Sequence, residues 1–221
     1  MTLRWRWNPL HRLHPADTTL IAVATKTECD TTNLEPRRLA ILISFSGEGG
    51  VERMVLNLLE GLAASGVTVD LLAIRAESAH LDQLPRSVRL IDLGVRHTGL
   101  AVFPVASYLR RERPAAMLAA KDRAIRTATL ARRLAGWQGR LVGRLGTNLS
   151  AALAGRSTAT RWLRTAPMRY LYSGVDRIIA VSEGVAQDTL RISRLPASQV
   201  VVVRNPVVTS RLTELAAAPC P

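Results

Sequence analysis

Short apolar runs alternate with amphipathic stretches along most of the chain. Most of these runs lack the regular apolar–polar alternation of half-exposed strands, which is typical of strands buried on both faces of a parallel sheet. The predicted strands are 39–43, 67–74, 87–93, 115–120, 140–145, 177–181 and 200–203. Because helices are predicted between them, the fold class is α/β: a Rossmann-like, doubly wound and mostly parallel sheet of about seven strands.

Helical spacing of apolar residues predicts helices between these strands. They are 51–64, 104–113, 124–134, 157–172 and 183–191. The apolar face of the first helix is formed by Val51, Val55, Leu58, Leu59 and Leu62. Ser182 is the expected N-cap of the last helix, because a serine hydroxyl accepts a hydrogen bond from the first turn.

The first predicted strand is followed by a turn rich in glycine. Gly47, Gly49 and Gly50 precede a helix, whose free N–H groups and positive dipole end attract anions. The glycines let a phosphate approach the backbone closely, or they only make a tight strand-to-helix turn. The dinucleotide fingerprint G-x-G-x-x-G fails, because its third glycine would fall at Glu52. A nicotinamide cofactor is therefore disfavoured.

Polar groups collect at the carboxyl ends of the predicted strands, where parallel sheets bind their ligands. These groups are Gly49 and Gly50, residues 121–123, residues 144–148, Ser182 and Glu183, and Arg204 and Asn205. Together they describe a cationic, hydroxyl-rich rim that suits an anionic or sugar-like ligand. The sequence shows no P-loop, HExxH or paired CxxC pattern. Its two cysteines and four histidines lack the spacing of metal ligands, so no metal is expected.

The net charge of +13 comes almost entirely from the middle third of the chain. Residues 107–169 contain fourteen arginines and lysines but only two acidic residues, a net charge of +12. Such a surface suits an anionic membrane, with Trp137 and Trp162 as interfacial anchors, or is simply solvated. Charge alone also fits a nucleic-acid-binding protein. No nucleic-acid-binding signature accompanies it, so nucleic acid is not the expected partner.

The predicted domain spans residues 38–210 and leaves a segment at each end. Residues 1–37 are basic and interrupted by proline, and they are predicted to be a disordered leader. Residues 211–221 are predicted to be a tail or a truncated linker. No run approaches 18 consecutive apolar residues, and no convincing secretory signal is present. We therefore expect a cytoplasmic protein that could lie on the inner face of the plasma membrane.

Several short pieces follow one another in a specific order. They are GGVERMVLNLLE (49–60), GVTVD (66–70), KDRA (121–124), LARRLAG (130–136), RLGTN (144–148), DRIIAVSEG (176–184) and VVVRNPV (201–207). Their order and spacing resemble the amino-terminal domain of the family 4 retaining glycosyltransferases, which have the two-domain GT-B fold. The resemblance covers about residues 38–210.

The resemblance implies roles for the residues at the carboxyl ends of the strands. The candidate acceptor contacts are Lys121, Arg123, Arg144 and Thr147. Gly49 and Gly50 would lie beside the donor diphosphate, and Ser182, Glu183, Arg204 and Asn205 would line the cleft between the two domains. Many relatives carry a histidine near the end of the fifth strand, where this chain has Gly146. A role of that histidine cannot be carried over.

The resemblance also implies a reaction. A hexose-type sugar would pass from a nucleotide sugar, used as co-substrate without a metal or other cofactor, to a glycan or lipid-linked acceptor in cell-envelope or polysaccharide biosynthesis. Family members continue past the Asn-Pro motif into a donor-binding domain, whereas this sequence ends at Pro221. We therefore expect an acceptor-binding half that is inactive alone: either the gene is truncated or frame-shifted, or a separate chain supplies the carboxyl-terminal donor domain as partner. The alternative is a non-catalytic basic protein that binds nucleic acid or an anionic membrane surface.

Overall fold

The computed structural model describes residues 38–45, 49–95 and 97–206, and in them the predicted fold class is confirmed. The strands are β1 (Leu39–Phe45), β2 (Val69–Ala76), β3 (Val88–Asp92), β4 (Ala116–Ala120), β5 (Arg140–Leu145), β6 (Arg177–Ala180) and β7 (Val200–Val202). They form one sheet in the order β3-β2-β1-β4-β5-β6-β7, and every neighbouring pair is parallel. The predicted leader 1–37, the predicted tail 211–221 and Gly47 lie outside the described residues.

Helices connect the strands in the described part of the chain. They are α1 (Gly50–Ala64), α2 (Val102–Glu112), α3 (Asp122–Ala135), α4 (Leu149–Ala152), α5 (Thr158–Leu171) and α6 (Glu183–Ser193). The predicted strand and helix boundaries agree with these to within two residues. The four-residue helix α4 was not predicted; the side chain of Asn148 caps it by accepting a hydrogen bond from the Ala151 N–H.

Apolar layers cover both faces of the sheet. On one face, α1 packs Val55 and Leu59 against strand residues such as Ile41 and Leu71. On the other face, α2, α3, α5 and α6 contribute to a second buried cluster. This division follows from right-handed crossovers, because the chain reverses its direction across the sheet between β1 and β4.

One predicted membrane anchor is wrong. The Trp137 side chain is only 6% exposed, and its indole N–H donates to the Pro114 carbonyl oxygen at 2.9 Å. Trp137 follows Gly136, the left-handed residue that ends α3, so the turn into β5 directs the ring into the core. Trp162, on α5, is 64% exposed.

Candidate functional site

The crevice where the strand order reverses lies between β1 and β4. Lys121 reaches across it from the end of β4: its ammonium group donates to the Ser44 carbonyl oxygen at 3.1 Å and to Glu52 Oε1 at 3.0 Å. Glu52 is 2% exposed, so this ion pair compensates a buried carboxylate. The pair also ties the end of β4 to the first turn of α1.

The backbone of Lys121 is strained. Its φ of 81° and ψ of 148° fall in a region that residues with side chains rarely adopt. Such a conformation costs on the order of 1–3 kcal/mol, and residues that adopt it cluster at ligand-binding sites. Here the strained residue is the N-cap of α3, at the carboxyl edge of the sheet.

The two predicted donor contacts have different surroundings. Gly49 is the N-cap of α1, and its N–H donates to Glu52 Oε2 at 2.5 Å, so this amide is engaged within the protein. Gly50 is exposed, and a Cβ built on it would meet no atom within 4 Å. A phosphate would therefore approach α1 most easily at Gly50. The donor role of both glycines stays a prediction.

A cavity of about 400 Å³ opens at the carboxyl ends of β4 and β5, and the four predicted acceptor contacts, Lys121, Arg123, Arg144 and Thr147, all line it. The remaining wall is formed by Ser44, Val51, Ile74, Thr98, Ala120, Asp122, Ala124, Leu145, Gly146, Leu149, Met168, Asp188 and Thr189. An apolar wall with a few converging polar groups is typical of a small-molecule site.

Arg144 is the most deeply buried cation of this cavity, with 5% of the residue exposed. Its Nη2 donates to Asn205 Oδ1 at 2.7 Å, whereas Nε and Nη1 have no hydrogen-bond partner in the described part of the chain. Burial lowers the pKa of the guanidinium group, because the charged form loses its hydration. Asn205, one of the four predicted cleft residues, thus contacts the cavity-lining residue Arg144.

Two carboxylates also line the cavity, and both have partners. Asp122 pairs with Arg126 at 2.7 Å. Asp188 accepts a hydrogen bond from the Ser150 N–H at 3.0 Å and one from Arg191 at 2.6 Å. Burial alone would raise the pKa of Asp188, but the contacts with Ser150 and Arg191 outweigh it and hold this pKa below its ordinary value. Asp188 is therefore an anion at neutral pH and not a proton donor.

The other predicted cleft residues do not line the cavity. Ser182 is the N-cap of α6, as predicted, and its hydroxyl accepts a hydrogen bond from the Val185 N–H at 3.3 Å. Glu183 and Arg204 are exposed at the carboxyl ends of β6 and β7. All three lie at the same edge of the sheet as the cavity, and their role in a cleft stays a prediction.

The sequence pattern did not single out Glu52 and Asp188. Glu52 stands three residues after Gly49, which is the capping position that glutamate often takes at a helix start. Asp188 shares the inward face of α6 with Val185 and Ile192. These two signals, a capping position and an acid on an apolar face, were present in the sequence.

A second cavity, of about 440 Å³, lies at the opposite, amino-terminal edge of the sheet near the end of α6. It is lined by Arg169, Tyr170, Ser173, Ser193, Arg194, Leu195, Pro196 and Gln199. Ligands of open parallel sheets bind at the carboxyl ends of the strands. The cavity at β4 and β5 is therefore the candidate functional site.

Among residues 38–45, 49–95 and 97–206, no three His, Cys, Asp or Glu side chains are grouped so that they could hold a metal ion. The same residues contain no helix that is long and apolar enough to span a membrane.

The sequence matches the family model of Glycosyltransferase Family 4 over residues 48–211. The chain therefore belongs to this family, and the resemblance noted in the sequence is confirmed. Comparison with curated proteins finds no match.

Solved structures show the same fold. The lipopolysaccharide outer core galactosyltransferase WaaB matches with a TM-score of 0.58 at 15% identity, over 77% of this chain and 46% of its own. Sucrose-phosphate synthase from Thermosynechococcus elongatus matches with a TM-score of 0.57 at 16% identity, over 76% of this chain and 48% of its own. Anabaena HepE in complex with UDP matches with a TM-score of 0.54 at 17% identity, over 76% of this chain and 44% of its own. The chain thus spans about half the length of these proteins.

Proposed function

We propose that residues 38–206 are the acceptor-binding domain of a retaining glycosyltransferase, which transfers a hexose-type sugar to a glycan or lipid-linked acceptor in cell-envelope or polysaccharide biosynthesis. The observation that best supports this is the cavity at the carboxyl ends of β4 and β5. It combines an apolar wall with cationic and hydroxyl groups, which suits a sugar that carries polar substituents.

The donor side of the proposal involves Gly50 and the first turn of α1. Stabilising a diphosphate leaving group requires several positive groups aimed at the developing charge. Near this turn, Lys121 is already paired with Glu52. We therefore propose that a second domain, on the same or a separate polypeptide, supplies most of the donor site. Residues 38–206 alone would transfer little or no sugar, and the nucleotide sugar would act as co-substrate without a metal.

A lipid-linked acceptor would be met at the inner face of the plasma membrane. The first turns of α5 support such docking, because Trp162 and Leu163 are 64% and 68% exposed and stand between Arg161 and Arg164. Each basic residue near an anionic leaflet contributes about 1 kcal/mol. The proposed location is therefore the cytoplasm, with peripheral attachment through α5.

The test compares three classes of ligand on the same protein. Saturation-transfer NMR is expected to show binding of short glycans and weaker binding of UDP, because the cavity is the acceptor side. Fluorescence anisotropy with duplex DNA at an ionic strength of about 0.15 M is expected to show no saturable binding. Tight UDP binding without a glycan signal would contradict the acceptor role, and DNA binding that weakens steeply with salt would favour the non-catalytic alternative.

A further inference from the structure

Arg144 carries a buried charge that the described residues do not balance. Its one hydrogen bond goes to the neutral amide of Asn205, and no carboxylate of the described residues forms an ion pair with it. An uncompensated buried charge is strongly destabilising. Such a position is completed most easily by an anion from outside the described residues, and a ligand in the adjoining cavity can supply one.

The guanidinium group lies beside the cavity because Gly146 makes room for it. A Cβ built on Gly146 would approach Arg144 Nη1 to 2.7 Å and Cζ to 3.0 Å. Nη1 is one of the two Arg144 nitrogens that have no partner among the described residues. A larger residue at position 146 would displace this donor.

The first turn of α3 adds to the same subsite. The N–H groups at the start of a helix have no partner within the helix, and the helix dipole favours an anion there. This turn, with Arg123, lines the cavity together with Arg144. The two carboxylates of the cavity, Asp122 and Asp188, are already bound to Arg126 and Arg191.

We propose that Arg144 and the first turn of α3 form an anion-binding subsite, so that the acceptor carries a phosphate or carboxylate group. This inference rests on the proposed function and names the substrate class of its cavity. Charge-assisted hydrogen bonds from an arginine to phosphate or carboxylate are about twice as strong as neutral ones. The donors of Arg144 that would make them are Nε and Nη1, which have no partner in the described residues.

The experiment titrates the full chain with inorganic phosphate, UDP and methyl α-glucoside, observed by phosphorus and proton NMR. Arg144→Gln is expected to weaken phosphate binding by about tenfold or more, a loss of about 1.4 kcal/mol. Gly146→Ala keeps the cation but displaces it, and it is expected to weaken phosphate binding while circular dichroism shows an unchanged fold. Arg86→Gln, a matched change at an exposed arginine ahead of β3, is expected to leave binding unchanged.

The outcomes separate the possible sources of the anion. Phosphate binding that depends on Arg144, with UDP binding no tighter, supports an anionic acceptor. UDP binding that is about tenfold tighter and depends on Arg144 assigns the subsite to the donor diphosphate and overturns the inference. Equal phosphate binding by wild type and Arg144→Gln also overturns it. If methyl α-glucoside binds and inorganic phosphate does not, the anion-binding subsite alone is overturned. If none of the three ligands binds, the proposed function is contradicted as well.

Discussion

Asp70 shows how one buried carboxylate organises its neighbours. It is 1% exposed, and it accepts hydrogen bonds from Arg89 Nη2 and from the Tyr108 hydroxyl, both at 2.7 Å. Arg38 lies 3.5 Å from the same carboxylate. The Asp70 carboxylate joins β2, β3 and α2, so removing it would affect three elements at once.

Replacing Asp70 by alanine is expected to lower the free energy of unfolding by about 2–3 kcal/mol, because Tyr108 and Arg89 lose their shared acceptor. Tyr108→Phe is expected to cost only about 1 kcal/mol, since Asp70 keeps its arginine. Urea unfolding followed by circular dichroism measures both changes. Equal losses for the two variants would argue against a network centred on Asp70.

The buried tyrosines predict a weakening of the fold at alkaline pH. Burial, followed by the contact with Asp70, raises the pKa of Tyr108, and burial and Asp122 raise that of Tyr172. A raised folded-state pKa stabilises the protein below the unfolded pKa of tyrosine, about 10, and this contribution is lost as pH rises further. We expect the free energy of unfolding to fall above about pH 10 and the fall to be shallower in Tyr108→Phe. An identical profile for wild type and variant would contradict this.

Residue environments were predictable only where they depend on local sequence. Ser182 caps α6 through a residue three positions later, and this was predicted. The burial of Glu52 depends on Lys121, which comes 69 residues later in the chain. Trp137 stands among arginines in the sequence, yet its ring is fixed by the carbonyl of Pro114. Contacts between distant residues leave no local pattern.

The contact of α3 with the sheet depends on a glycine in β5. A Cβ built on Gly143 would lie 2.8 Å from the Cδ1 atoms of Ile125 and Ile178. Gly143→Val is therefore expected to lower the free energy of unfolding by about 1–3 kcal/mol. Gly61→Ala, at an exposed position within α1, is the control and is expected to raise it by about 0.5–1 kcal/mol. Urea unfolding measures the stability of both variants. A Gly143→Val variant as stable as wild type would show that α3 does not pack this closely.

Elements were predicted well because their signals are local. Apolar runs gave the strands, and the 3.6-residue spacing gave the longer helices. The four residues of α4 are too few to show a period. The order of the strands was not predicted, because it depends on which strands pair across long crossovers, as β1 does with β4.

Fewer arginines are exposed and unpaired in the described residues than the sequence alone suggests. Residues 123–175 contain no acidic residue, yet Arg126 and Arg132 pair with Asp122 and Asp176, and Arg144 is buried. Within the described residues, these arginines add less to the exposed unpaired charge than composition indicates. Exposed arginines remain on α2 and α3, at Arg110, Arg111 and Arg133, and also on the first turns of α5, beside the exposed Trp162.

This surface is expected to bind vesicles that contain anionic lipid. Replacing Trp162 and Leu163 together by alanine is expected to weaken sedimentation with such vesicles by about tenfold or more, because two large apolar side chains no longer enter the interface. Phe103→Ala changes an equally exposed side chain on α2 and is expected to have no effect. Binding that is as strong to neutral vesicles, or unaltered in the double variant, would exclude docking through α5.

The proposed sugar acceptor binds at the carboxyl ends of β4 and β5. Amide chemical-shift mapping of the chain during titration with glucose 1-phosphate and methyl α-glucoside would locate this binding. The predicted result is that the largest shift changes fall in residues 121–124 and 144–147. Changes centred on the amino-edge cavity, at Arg169, Ser193 and Pro196, or scattered along α5, would contradict this placement of the acceptor.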